Sequence, residues 1–185
     1  MRKEYARLRR RPFLMPLWLP VFGAVVALAV AIWLVLSAST TLVMVVRHAE
    51  AVAGSGDDPL LSAEGEARAQ RLAALMTTAE GFAPDGIIVS GLRRTQETAR
   101  PLAAALGIPV VVVEDRDPKA VAERALAEFQ GKRVLVIGHS NTVPEIVGRL
   151  SRERVPAMSE TEFGTLYVVA VPRFSRPAVA RIELR

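Results

Sequence analysis

At 185 residues the chain has room for one domain of ordinary size plus an appendage. Its net charge of +5 sits at one end: Arg2, Lys3, Arg7, Arg9, Arg10 and Arg11 face only Glu4, and beyond residue 11 acids and bases balance. The basic character therefore belongs to a tail, and the balanced remainder shows no basic stripe of the kind that binds nucleic acid. The chain has no cysteine, which excludes a disulfide framework and a lipid-attachment cysteine.

After the basic tail, 1–11, residues 12–38 carry no charge. From Leu17 to Leu36 the apolar run is long enough, at ~1.5 Å per residue, to cross a ~30 Å hydrocarbon core. Trp18 and Trp33 lie near its two ends, where interfacial aromatics belong, and Pro12, Pro16 and Pro20 are confined to its entry half. No polar face exists at any period, which argues against a buried core helix. Two readings remain, a retained single-pass anchor over 12–38 and a signal peptide. A signal's apolar region runs ~7–15 residues, shorter than this one, although Ser37-Ala38-Ser39 is small enough to be cut. The basic tail predicts a cytoplasmic N-terminus, with the rest of the chain extracytoplasmic (periplasmic in a Gram-negative cell).

Residues 41–185 read as one domain of alternating strands and helices. Strands are expected at 41–46, 86–89, 109–113 and 133–137, and helices at 63–78, 93–106, 118–130 and 142–150. Ser62 is placed to cap the first of these helices, and Gly107 and Gly131 to close the second and third. Thr165 to Val171 and Ala178 to Leu184 read as two last strands paired near a sheet edge. That order predicts a three-layer α/β/α sandwich around a mostly parallel sheet.

Three stretches carry the chemistry. The apolar run Leu42 to Val46 ends in Arg47-His48-Ala49-Glu50, and Val134 to Ile137 ends in Gly138-His139-Ser140-Asn141. These hold the only two histidines of the chain, each at the carboxyl end of a predicted buried strand, where open α/β sheets bind ligands. Between them, Ile87 to Val89 runs into Ser90-Gly91-Leu92-Arg93-Arg94-Thr95-Gln96-Glu97-Thr98-Ala99. Gly138 to Thr142 nearly matches the G-x-S-x-G elbow of α/β-hydrolases, but that fold needs a His after the Ser and none follows. His48-Ala49-Glu50 echoes the H-x-E of zinc deaminases, whose second half requires cysteine.

In order and over about residues 41–150, the three stretches resemble the histidine phosphatase superfamily (phosphoglycerate-mutase-like, branch 1). The resemblance implies a phosphomonoesterase working through a phosphohistidine on His48, with no metal or other cofactor. Arg47, Arg94 and a protonated His139 would form the cationic clamp that transition-state charge requires, and Asn141 would join them on the substrate. The register of the pattern selects Arg94 over its neighbour Arg93. The family's leaving-group acid usually follows the third strand, where Glu114 stands with Asp115 and Asp117 as rivals; a solvated acidic loop accounts for them equally well.

Ala49 replaces the commoner Gly after the nucleophile, and Gly91 the Pro after Ser90. The longer insertion with which mutases enclose their substrate is missing, so simple hydrolysis is expected rather than mutase activity. The expected ligands are a phosphorylated small molecule or an envelope phosphoester, with the membrane engaged through the N-terminal helix. The alternative is a degenerate, membrane-anchored module that binds phosphorylated ligands without turning them over.

Overall fold

The computed structural model describes residues 18–37, 40–54, 56–113 and 117–184, which fall into two compact units divided after Leu36. Helix α1 spans Trp18–Ser37, 20 residues or ~30 Å at the α-helical rise, all but its last residue in the first unit. It is long and apolar enough to cross a membrane, a test that a signal sequence passes as well. Its large side chains, among them Phe22, Leu28 and Trp33, are exposed along its length, so it is not the core helix of a soluble domain.

The second unit holds β1 (Thr40–Arg47), α2 (Ala63–Thr78), β2 (Gly86–Ser90), α3 (Arg93–Leu106), β3 (Val110–Val113), α4 (Pro118–Glu128), β4 (Arg133–Gly138), α5 (Thr142–Ser151), β5 (Thr165–Pro172) and β6 (Ala178–Glu183). Six strands form one sheet in the order β3-β2-β4-β1-β5-β6. The first four are parallel, and β5 and β6 add an antiparallel ribbon beside β1. Residues alternate across the sheet. Val43, Val45, Val134 and Val136 pack under α4 and α5, whereas Met44, Val46, Leu135 and Ile137 pack under α2 and α3. Two cores on opposite faces make the three-layer α/β/α sandwich, and burial on both faces is why the strands read as unbroken apolar runs.

The local signals sit where the sequence puts them. The Ser62 Oγ accepts from the Gly65 amide at 3.1 Å and caps α2, and Gly107 closes α3 in the left-handed conformation with φ 63°. Helix α4 departs from expectation: it stops at Glu128, not residue 130, because Phe129 turns into the core. Gly86 makes the room, since a Cβ there would lie 2.3 Å from the Phe129 ring. Strand β3 begins after Pro109, which has no N–H to give to a ladder.

Candidate active site

Strand register builds the site. In the parallel β1–β4 pair Arg47 stands opposite Gly138, so the next residue on each strand is a histidine. The His48 amide donates to the Gly138 carbonyl at 2.9 Å, and the two imidazole centroids lie 5.2 Å apart, edge to face. On the other side of β4, β2 delivers Ser90, whose Oγ lies 3.1 Å from Nε2 of His139. The Thr142 Oγ1 accepts from the His139 amide at 2.9 Å and ties that loop to the first turn of α5.

The His48 Nδ1 lies 2.7 Å from the Ala49 carbonyl, an oxygen that can only accept. Nδ1 therefore carries the proton and Nε2 the lone pair. Burial, joined by the nearby Arg94 and Arg47 charges, pushes the His48 imidazole down to about 4 against the opposing Ala49 hydrogen bond and Glu160. The residue is neutral at pH 7. Ala49 is fully buried beside Leu61 and Ala69, and its amide donates to the Thr98 Oγ1 at 3.0 Å. That bond joins the loop after β1 to α3. From the other side α2 closes on the same loop: a Cβ on Gly65 would sit 2.0 Å from the Glu50 carbonyl oxygen, so only glycine fits.

Arg94, in the first turn of α3, lines the same cavity as Arg47, His48, His139, Ser140 and Asn141. Its Nη1 donates to the Asp57 carbonyl at 3.3 Å. Arg93 does not line the cavity; its side chain is exposed and its amide donates to Asp58 Oδ1 at 2.9 Å. The open cavity, about 460 Å³, has room for a phosphorylated small molecule. A second cavity, about 390 Å³ and apolar, lies between α2 and the β5–β6 ribbon and includes neither histidine.

Arg47 behaves differently from a bare clamp cation. Its Nη1 donates to the carbonyls of Ser159, Glu160 and Glu162 at 3.0, 2.8 and 3.1 Å, and its Nη2 to Glu160 Oε2 at 3.0 Å. The Phe163 ring stacks on the guanidinium, 4.1 Å from Cζ to centroid. Burial lowers the Arg47 guanidinium from its ordinary value, opposed by Glu160, Glu162 and Glu50. The segment from Ser159 to Phe163 thus forms a strap across the mouth, pinned by the last residue of β1.

Of the sequence-predicted site residues, Arg47, His48, Arg94, His139 and Asn141 converge on one cavity. Glu114 and its rival Asp115 lie outside the described residues. Asp117 does not line the cavity; it caps α4, its carboxylate accepting from the Lys119 amide at 2.9 Å. Among the described residues no three His, Asp or Glu side chains gather as metal ligands. Sequence reasoning missed the parts played by Ser90, Thr98, Glu160 and Phe163. The only signal for the last two was the stretch between α5 and β5, longer than an ordinary connection.

Residues 43–117 match the family model described as histidine phosphatase superfamily (branch 1). No curated protein matches the chain. A solved structure from Agrobacterium tumefaciens, assigned as phosphohistidine phosphatase SixA, is 23% identical with TM-score 0.61, over 77% of this chain and 97% of that one. The protein histidine phosphatase SixA complexed with tungstate is 21% identical with TM-score 0.63, over 77% and 96%. A mycobacterial glucosyl-3-phosphoglycerate phosphatase is 16% identical with TM-score 0.61, over 79% and 100%. The likeness to these structures is one of fold. The matched segment runs through the Arg47-His48 strand end and the Arg94 helix start, on a sheet that sets the second histidine against the first, and over that segment the chain is similar to the histidine phosphatase superfamily, branch 1.

Proposed function

We propose that this protein is a phosphatase that hydrolyses a phosphomonoester through a phosphohistidine on His48, with no metal. One observation carries the reading: His48 is neutral, with its lone pair on Nε2, in a cavity that also holds Arg47, Arg94 and His139. In the first step Nε2 bonds to phosphorus as the phosphorus–oxygen bond to the leaving group breaks. The electron pair goes to the leaving oxygen, which takes a proton from an acid, for which Glu114 stands as candidate. Arg94 and a protonated His139 hold charge on the equatorial oxygens, with Asn141 on the substrate. Water then cleaves the nitrogen–phosphorus bond, releasing phosphate and restoring His48. Hydrolysis rather than mutase transfer follows from the missing enclosing insertion.

The substrate class is a phosphorylated small molecule or an envelope phosphoester. We place the catalytic unit, 41–185, on the extracytoplasmic side, with the 12–38 segment anchored in the membrane and the basic tail, 1–11, in the cytoplasm. The test is brief incubation of the full-length protein with a labelled phosphodonor and an acid-free quench. An acid-labile label that needs His48 and survives chelators is the expected result. Phosphate binding without label or turnover would identify the non-catalytic binding module instead, and activity lost in EDTA and restored by a divalent metal would assign another chemistry. For topology, a reporter fused after Arg185 should be active only if it works outside the cytoplasm.

A further inference from the structure

Glu160 has no part in the chemistry above, yet it is the only acidic side chain lining the cavity among the described residues. An anion site gains nothing in phosphate affinity from a carboxylate. This one is nonetheless held in place: Oε1 accepts from Ser140 Oγ at 2.7 Å and Oε2 from Arg47 Nη2 at 3.0 Å. The Ser140 hydroxyl and then Arg47, with burial opposing, hold its carboxyl below the ordinary carboxylate range, so it is ionised at neutral pH. Its side chain is 81% exposed, whereas that of Arg47 beneath it is 6% exposed.

In-line attack fixes what Glu160 faces. A phosphoryl group attacked by His48 Nε2 must carry its leaving group on the side of phosphorus away from His48. His48 is buried and Glu160 is exposed at the mouth, so the leaving group departs toward the rim. We propose that Glu160 is a specificity-determining residue that reads leaving-group charge, favouring phosphate esters of a cationic group, such as an amino alcohol, over those bearing a carboxylate. The inference rests on the phosphatase reading for the direction of departure.

The test uses the full-length protein in neutral detergent and three small substrates: phosphoethanolamine (cationic), phenyl phosphate (neutral) and phosphoglycolate (anionic). The wild type should favour phosphoethanolamine over phosphoglycolate in kcat/KM by about tenfold, as expected when one exposed charge attracts one group and repels the other. E160Q keeps the shape and removes the charge, and should collapse that ratio toward one, with phenyl phosphate changing by an intermediate factor. Raising the salt should shrink the wild-type ratio in the same direction. A uniform change of all three in E160Q would make Glu160 a mere positioner of Arg47 and overturn the proposal, as would a wild type without preference. Equilibrium binding of the three compounds to His48→Ala reads the same ratio without turnover. If no substrate is turned over while that binding ratio persists and falls in His48→Ala/Glu160→Gln, the phosphatase reading fails and the charge reading stands. Turnover with a ratio indifferent to E160Q sinks the charge reading alone.

Discussion

The floor of the cavity and its rim are built by different means. The floor holds His48 and His139, each at the end of a strand, with Ser90 behind His139, and their relative positions follow from the register of β1, β4 and β2. The rim is the Ser159–Phe163 strap, outside any strand or helix, held by four donor contacts from the Arg47 guanidinium and by the stacked Phe163 ring. A floor built on ladder hydrogen bonds fixes the two histidine backbones, and the Thr98, Thr142 and Ser90 hydroxyls tie down the loops and ring around them. A strap held by side chains, chiefly Arg47 with Ser140 on Glu160, can change composition without disturbing the sheet. On the proposed function, the comparison places reactivity in the rigid part and selectivity in the replaceable one.

Substitution in the floor should have the largest effect. His48→Ala removes the proposed nucleophile and should reduce kcat by at least about 10⁴-fold, with no phosphoenzyme trapped. A residual rate within tenfold of the parent would mean that the floor is not where the chemistry happens.

Next come the adjacent arginines of α3. Arg94 lines the cavity and Arg93 is exposed outside it. Losing one charge-assisted contact to the transition state costs ~2–4 kcal/mol, so Arg94→Ala should slow turnover roughly 10² to 10³-fold. Arg93→Ala should stay within about threefold of the parent. Equal effects, or the reverse order, would show that the first turn of α3 is not the anion cradle.

Acid should distinguish floor from rim through stability. With the His48 imidazole at about 4 in the folded protein and ~6.5 in the unfolded chain, the unfolded state binds the proton first. Above pH 6.5 this residue is neutral in both states and contributes nothing to the pH dependence. As pH falls from about 6.5 to 4 the folded protein loses stability, by roughly 3 kcal/mol in all, and the loss is complete below 4. His48→Gln should flatten that part of the profile in denaturant titrations at fixed pH. If parent and variant fall in parallel through the window, His48 is not the group held neutral.

A modest effect concerns the support of the second histidine. The Ser90 Oγ lies within hydrogen-bond distance of His139 Nε2 and of Thr95 Oγ1. Ser90→Ala should cost about 1 kcal/mol, roughly fivefold in kcat, by loosening the imidazole. It should also shift the pH profile of turnover, whereas a purely structural role for Ser90 would leave that profile in place.

Much of this protein could be read from its letters, for a physical reason that also sets the limit. Strands buried on both faces must be continuous apolar runs, and helices declare themselves by caps, so Ser62, Gly107 and the run Leu42–Val46 announce their elements from local sequence alone. Because parallel strands align their carboxyl ends, a charged group just past each run belongs at one edge of the sheet. That is why the sequence alone groups His48, His139, Arg94 and Asn141, which line one cavity.

The sequence by itself also determined the charge-free helix α1 and the balance of acids and bases beyond the tail. Tertiary structure alone decided the rest. Nothing local tells Phe129 to leave α4 for the space over Gly86, since the cavity it fills is made by another strand. Sequence alone offers Asp117 as a rival to Glu114, and only the fold shows its carboxylate capping α4 outside the cavity. The partners of Arg47 lie more than 110 residues away in the chain, in a strap with no periodicity to announce it. Periodic structure is written in spacing and can be read there, but a contact between an irregular segment and a strand end depends on where the whole sheet puts them.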